Sequence, residues 1–186
     1  MSSVIETAAT LDDLYRVESK AELIAGRIVH LTPTGRMPSR VASRIFRGLD
    51  DYAAATGRGE AYADNTGFAV GVLSSGRESF SPDASYFLGL FPTNAMRFLE
   101  GAPTFAVEVR SENDYGDAAE EAMASRRADY FEAGTLVVWD VDPINAVVRK
   151  HGCEFPGDPI VFAPGGEADA EPAVPGWRMA VDRIFA

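Results

Sequence analysis

The sequence predicts an α/β chain in which helices flank a central mixed sheet. Three observations lead there. Val41, Ile45, Leu49 and Tyr52 recur at steps of four, four and three, the period of an amphipathic helix over 39–56. A second run, 117–133, is rich in strong helix formers and ends at Gly134. Between and after these lie short apolar runs of strand length, at 82–88, 104–110 and in LVVWDVD.

At 186 residues and 20.0 kDa the chain has room for one domain with a substantial core, and a single domain over 1–186 is expected. Hydrophobic residues make up 46% and charged ones 24%, a globular balance that excludes a largely disordered chain. No apolar run approaches the roughly 18 residues of a membrane span, and MSSVIETAATLDD has no basic stretch before an apolar one. A soluble, cytoplasmic protein is the expectation. The lone Cys153 makes neither an internal disulfide nor a cysteine zinc site, and His30 and His151 are too few for a histidine metal cluster. A net charge of −11 opposes long-range attraction of a polyanion by the whole surface, so such a partner needs a local basic patch.

The elements follow in order. Thr10 is placed to cap a short helix in TLDDLYRVE, with Leu11, Leu14 and Val17 at helical spacing. In AELIAGRIVHLTP, apolar pairs flank Ala25-Gly26, which reads as a β-hairpin ended by Pro33-Thr34-Gly35. The 39–56 helix stops at Gly57. Strands are expected near 60–65, 68–73, 82–88 and 104–110, with a turn at Gly76. After the 117–133 helix, LVVWDVD and AVVRKHG form two strands around Pro143-Ile144-Asn145. Glycines and prolines between 155 and 176 mark loops around one short strand, PIVFA, before a closing WRMAVDRIF segment.

The chemistry concentrates in PTFAVEVRS, where Glu108 interrupts a run that otherwise reads as a buried strand. Strand alternation puts Ala106, Glu108 and Arg110 on one face and Phe105, Val107 and Val109 on the other. Asp83, 25 residues earlier, follows Pro82 in SPDASYFL, so two strand-borne carboxylates can converge, a pattern that suggests a divalent metal. At 100° per residue, Arg126 lies in a helical stripe with Ala119, Ala122, Met123, Tyr130 and Ala133 that must face the sheet. A buried arginine keeps its proton, so it needs an anion, either Glu108 or a bound phosphate. Arg127, about 100° round the helix, has no such requirement. Arg36, Arg40, Arg44 and Arg47, with Arg58 beyond, give the first long helix a basic face able to contact phosphates.

These residues resemble the Uma-two family of restriction-type endonucleases, within the PD-(D/E)XK nuclease superfamily. The resemblance covers most of the chain: AELIAGRIVHLTP, RVASRIFRGLDDYAAATGRGEAY, SPDASYF, GAPTFAVEVRSEND, RRADYFEAG with VVWDVDP, and VPGWRMAVDRIF. It implies a restriction endonuclease-like core acting as a metal-dependent DNA endonuclease. Asp83 and Glu108, with the Val109 carbonyl, would then ligate Mg²⁺ or Mn²⁺, and Glu22 would complete the site directly or through water. In the family a lysine usually stands four residues before the tyrosine. Here that position is Arg126, and the strand position is Arg110; arginine clamps phosphate but is a poor proton acceptor. Arg40, Arg44, Arg47 and Arg110 are the expected nucleic-acid contacts, and a homodimer is expected because such folds often pair to cut both strands.

Other readings stand beside this one. A Glu108–Arg126 ion pair would satisfy both groups without a metal, and the arginine face of the helix can be a solvated surface. Trp139 and Tyr130 read as core residues, His30 and His151 as incidental strand residues, and Cys153 as a loop or strand-end thiol. The chain could be a non-catalytic descendant binding nucleic acid or protein, or a hydrolase of another phosphate ester. No G-x-S-x-G elbow and no phosphate-binding glycine loop occurs.

Overall fold

A computed structural model describes residues 8–186; the first seven residues, and with them part of the reading of the N-terminus, lie outside it. The chain opens with α1 (Leu11–Leu14), β1 (Ala21–Ile24), β2 (Arg27–His30) and α2 (Arg36–Thr56). It continues with β3 (Glu60–Ala63), β4 (Phe68–Ala69), β5 (Ser79–Phe80), β6 (Ala84–Phe87), β7 (Leu99–Glu100), β8 (Phe105–Val109) and α3 (Asp117–Glu132). It closes with β9 (Val137–Asp142), β10 (Val147–Gly152), β11 (Phe155–Phe162), β12 (Glu167–Asp169), β13 (Arg178–Ala180) and α4 (Val181–Phe185). No helix of the described residues is long and apolar enough to cross a membrane.

The central sheet has six strands in the order β11-β10-β9-β8-β6-β3, with β8 and β9 parallel and every other pair antiparallel. The parallel pair follows from connectivity, because α3 carries the chain from the end of β8 back to the start of β9. Alternation then sorts the side chains. Phe105, Val107 and Val109 pack with Val137, Trp139 and Val141 against Val41, Ile45 and Leu49 of α2. Ala106 and Val138 turn to the other face, where Tyr130 of α3 and Phe80 stack with ring centroids 4.1 Å apart. The mixed α/β architecture expected from sequence is the one found, with Trp139 and Tyr130 in the core as expected.

Local chemistry fixes the ends of these elements. Thr10 makes a reciprocal capping box with Asp13 at α1. Ala25 and Gly26, at φ 49 and 67, form the tight turn between β1 and β2, the conformation that suits right-twisted hairpin strands. Gly57 ends α2 in the left-handed region at φ 63. Cys153 is exposed after β10, and His151 is buried with Nδ1 3.0 Å from the Pro156 carbonyl.

Several expectations need correction. The 68–73 strand is only Phe68–Ala69, and it pairs with β5 and β7 in a small separate sheet. The PIVFA strand begins earlier, at Phe155, because it pairs along β10 through a register shift. The closing segment splits into β13, paired with β12, and the short helix α4. On α3, Ala122 is exposed, while Asp129 and Tyr130 are buried and Arg127 is half-buried, so the inward face is more polar than the alanine stripe suggested.

Candidate active site

Where backbone pairing between β6 and β8 ends, Asp83 continues it. Pro82 has no N–H to give, the Asp83 amide donates to the Val107 carbonyl at 3.1 Å, and the Asp83 Oδ2 accepts the Val109 amide at 2.8 Å. This fixes the carboxylate at the carboxyl end of β8, beside Glu108. Asp140 of β9 is the register partner of Glu108 on its other side. Three acids therefore line up, Asp83 just ahead of β6, Glu108 on β8 and Asp140 on β9, and α3 covers them with Arg126 and Arg127. A cavity of about 600 Å³ opens here, with Lys20, Asp64, Asp83, Glu108, Arg126 and Arg127 in its wall.

Glu108 Oε1 accepts from Arg126 Nε at 2.8 Å and from the Tyr130 hydroxyl at 2.5 Å. Oε2 has no protein donor among the described residues. The ion pair between Glu108 and Arg126 thus forms, and it leaves half of the carboxylate for another partner. Burial lifts the Glu108 carboxyl above its usual range, with the neighbouring Asp83 charge adding to that effect against the pull of Arg126. Burial likewise raises Asp83, although Lys20 and the Val109 amide oppose it. The two carboxylates remain under-compensated by the cations around them.

Glu22 is brought to the same place but is already filled. Its two oxygens take Arg126 Nη1 and Nη2 at 2.8 Å each, Arg77 Nη1 donates to Oε2, and the Ser81 amide donates to Oε1 at 2.8 Å. Burial works against this carboxylate, yet Arg126, Arg77 and the Ser81 amide outweigh it and hold it below the usual range. Glu22 is 1% exposed, and its contact is with the arginine rather than with the cavity. Arg77 passes the chain of charges on, donating from Nε to buried Asp129 at 2.8 Å.

Arg110 departs most from expectation. Although at the cavity wall, it is 5% exposed and gives Nε and Nη2 to Asp140 at 2.7 and 2.6 Å, with both Nη atoms also on Glu120. Every guanidinium nitrogen is engaged inside the protein, so Arg110 has no free edge for nucleic acid, which corrects its place among the expected contacts. Arg127, read as having no need of an anion, points inward with Nη1 3.8 Å from Asp140 Oδ2, and this buried nitrogen has no hydrogen-bond partner among the described residues.

Sequence reasoning missed Lys20, which lies on the segment before β1. Its Nζ donates to Asp64 Oδ1 at 2.5 Å and lies 3.4 Å from Asp83 Oδ1. The chain has only two lysines, Lys20 and Lys150, and neither belongs to a periodic pattern that would have flagged it.

Arg40 and Arg47 are exposed on α2, and Arg44 is half-buried with Nη1 3.3 Å from the Ile184 carbonyl. Arg44 and Arg47 border a second cavity of about 730 Å³ that also takes in Arg178 and Arg183.

No group of three or more histidine, cysteine, aspartate or glutamate side chains is placed to hold a metal ion among the described residues. The donors present are two carboxylates, Asp83 and Glu108, beside the Val109 carbonyl. Magnesium is commonly held by one or two carboxylates, with water and substrate phosphate supplying the other ligands, so this hard-oxygen pair fits such an ion.

A mixed sheet with acids at its strand ends beneath a helix defines a protein of the nuclease fold. The family described as "Putative restriction endonuclease" (Uma2) matches residues 8–182, and the chain belongs to that family. A solved structure with the same fold is that of a "putative nuclease belonging to DUF820" from Anabaena variabilis ATCC 29413, with a TM-score of 0.71 at 20% identity, covering 95% of this chain and 97% of that one. No match is found among curated proteins.

Proposed function

We propose that this chain is a divalent-metal-dependent DNA endonuclease that hydrolyses phosphodiester bonds in the Lys20–Asp83–Glu108 cavity. The observation that carries the reading is the pair of carboxylates on neighbouring strands, both lifted by burial, on the wall of a cavity that also holds several cations. Family membership supports the same class of activity.

Asp83 and Glu108, with the Val109 carbonyl, are the residues that would hold Mg²⁺ or Mn²⁺. When bound, such an ion lowers the pKa of a water and offsets charge building on the phosphoryl oxygens. The protein's own part is orientation. The Val109 amide fixes Asp83 Oδ2, Tyr130 and Arg126 fix Glu108 Oε1, and Glu22 holds Arg126 by two parallel bonds. Arg126 thereby acts as a positioning residue for Glu108. Arg40, Arg44 and Arg47 stand on α2, which packs on the sheet face opposite Glu108, so they would meet phosphates away from the cut, and two copies of the chain would reach both strands.

The Glu108–Arg126 ion pair favours one other reading, a non-catalytic nuclease-fold protein that binds nucleic acid or protein. Calorimetric titration with Mn²⁺, together with plasmid nicking, separates the two. Wild type is expected to bind the ion and nick, Asp83→Asn to do neither, and small phosphodiesters to turn over far more slowly than plasmid. A wild-type protein with no affinity for Mn²⁺ and no nicking would leave the binding module as the function.

A further inference from the structure

We infer that the phosphate of the substrate is gripped by Lys20 and Arg127, from opposite sides of the cavity, rather than by Arg126 and Arg110. This rests on the nuclease reading for its ligand, a nucleic-acid phosphodiester. The argument is one of donor capacity. Four cations stand in the cavity wall: Lys20, Arg110, Arg126 and Arg127. Arg110 spends all five N–H groups on Asp140, Glu120 and the Asp114 carbonyl, and Arg126 is pinned through all three of its nitrogens by Glu22 and Glu108, with its fork turned to Glu22. Lys20 has three protons and two acceptors, one of them distant, at 3.4 Å from Asp83. Arg127 has a buried Nη1 that bonds to nothing among the described residues.

The positions suit the task. Lys20 stands on the Asp83 and Asp64 side, Arg127 on the Asp140 side, and Glu108 lies on the strand between. An unpaired buried N–H carries a desolvation cost that a phosphate oxygen would remove, and oxygens of a phosphodiester are acceptors only. Arg127 reaches its one carboxylate at 3.8 Å, whereas Arg126 makes three bonds of 2.8 Å to two carboxylates, so Arg127 is the less neutralised arginine on this helix. For Lys20, the 3.4 Å contact with Asp83 is long for an ammonium–carboxylate bond, so the ammonium keeps donors to turn toward a phosphate in the cavity.

Two variants test this, Lys20→Met and Arg127→Met, with Arg16→Gln as a control at an exposed arginine that pairs with Asp13 and does not line the cavity. The primary readout is binding of a fluorescent DNA duplex in Ca²⁺, followed across salt concentrations; Mn²⁺ titration, plasmid nicking and thermal melting accompany it. Each methionine variant is expected to bind the duplex about tenfold more weakly, with a salt slope reduced by about one phosphate contact. Mn²⁺ affinity should be kept or tightened in Lys20→Met, and Lys20→Arg should recover most duplex affinity. Duplex binding unchanged in both folded methionine variants, or weakened only as much as in Arg16→Gln, overturns the inference while leaving the nuclease reading to stand if wild type nicks. Weakened binding in a wild-type background that never nicks upholds the clamp and sinks the nuclease. Loss of Mn²⁺ binding along with duplex binding in a variant would instead mark the residue as structural and overturn its role as a clamp.

Discussion

Glu22 and Arg126 meet in a two-point ion pair, Oε1 to Nη2 and Oε2 to Nη1, both at 2.8 Å, joining the first hairpin to α3 across 104 residues of sequence. Arg77 completes the cluster from a third segment. Removing the shared carboxylate leaves two buried guanidinium groups short of an anion, a change that typically costs about 3–5 kcal/mol. Glu22→Ala is expected to lose stability of that order in urea titrations and to lower nicking further by freeing Arg126 from its fixed pose. A stability loss below about 1 kcal/mol would mean that water replaces the carboxylate and the cluster is not a brace.

Asp83 is expected to behave in the opposite way. Burial raises its carboxyl above the ordinary value, so between the unfolded and folded pKa the native state holds more protons than the unfolded one. Its ionisation therefore costs stability as pH rises through that window and beyond. Asp83→Asn keeps an acceptor for the Val109 amide and removes the buried charge, so at neutral pH melting should rise, by about 0.5–2 kcal/mol of stability. The same change should abolish Mn²⁺ binding. A variant that melts lower than wild type at neutral pH would show that the Lys20 contact outweighs desolvation.

The parts of this architecture that could be read from sequence are those governed by period. Alternation placed Glu108 opposite Phe105, Val107 and Val109, and steps of three and four placed Val41, Ile45 and Leu49 against the sheet. Charge pairing has no period. Nothing local to Arg110 announces that Asp140 and Glu120 will absorb it, and nothing near Lys20 announces Asp64 and Asp83. Helical geometry gives Arg127 a different azimuth from Arg126, yet the cavity is wide enough to be lined by both. β4 is only two residues long although its apolar run continues to Leu73, because the backbone leaves the ladder after Ala69.

The β9–β10 turn offers a pH-dependent prediction away from the cavity. Asp142 Oδ1 accepts the amides of Ile144 and Asn145 and the Tyr115 hydroxyl at 3.0–3.1 Å, while Oδ2 takes Asn145 Nδ2 and Arg149. Burial opposes the charge, but these bonds win and hold the carboxyl at about 2, below the ordinary 3.8. A depressed pKa contributes stability that is complete above the unfolded value and is lost as pH falls through the folded one. Stability should therefore drop between pH 3.8 and about 2, by about 1 kcal/mol from this group after allowance for solvent screening. Asp142→Asn should flatten that limb in acid denaturation and lower neutral-pH stability by a similar amount. An unchanged acid limb would assign the loss to other carboxylates.

Arg126→Lys asks whether the arginine is a defect in a catalytic site or a part of its frame. Lysine supplies one nitrogen where Arg126 uses three, so it can serve Glu22 or Glu108 but not both in the present geometry. With Lys20 already beside Asp83, a second ammonium is not needed for the chemistry, and the loss of the fork should dominate. The variant is expected to lose about 2–3 kcal/mol in urea unfolding, to bind Mn²⁺ near the wild-type affinity, and to nick plasmid more slowly. The opposite result, Mg²⁺-dependent nicking that appears or rises well above wild type, would mean that the natural arginine blunts catalysis and that a lysine on α3 is the missing group.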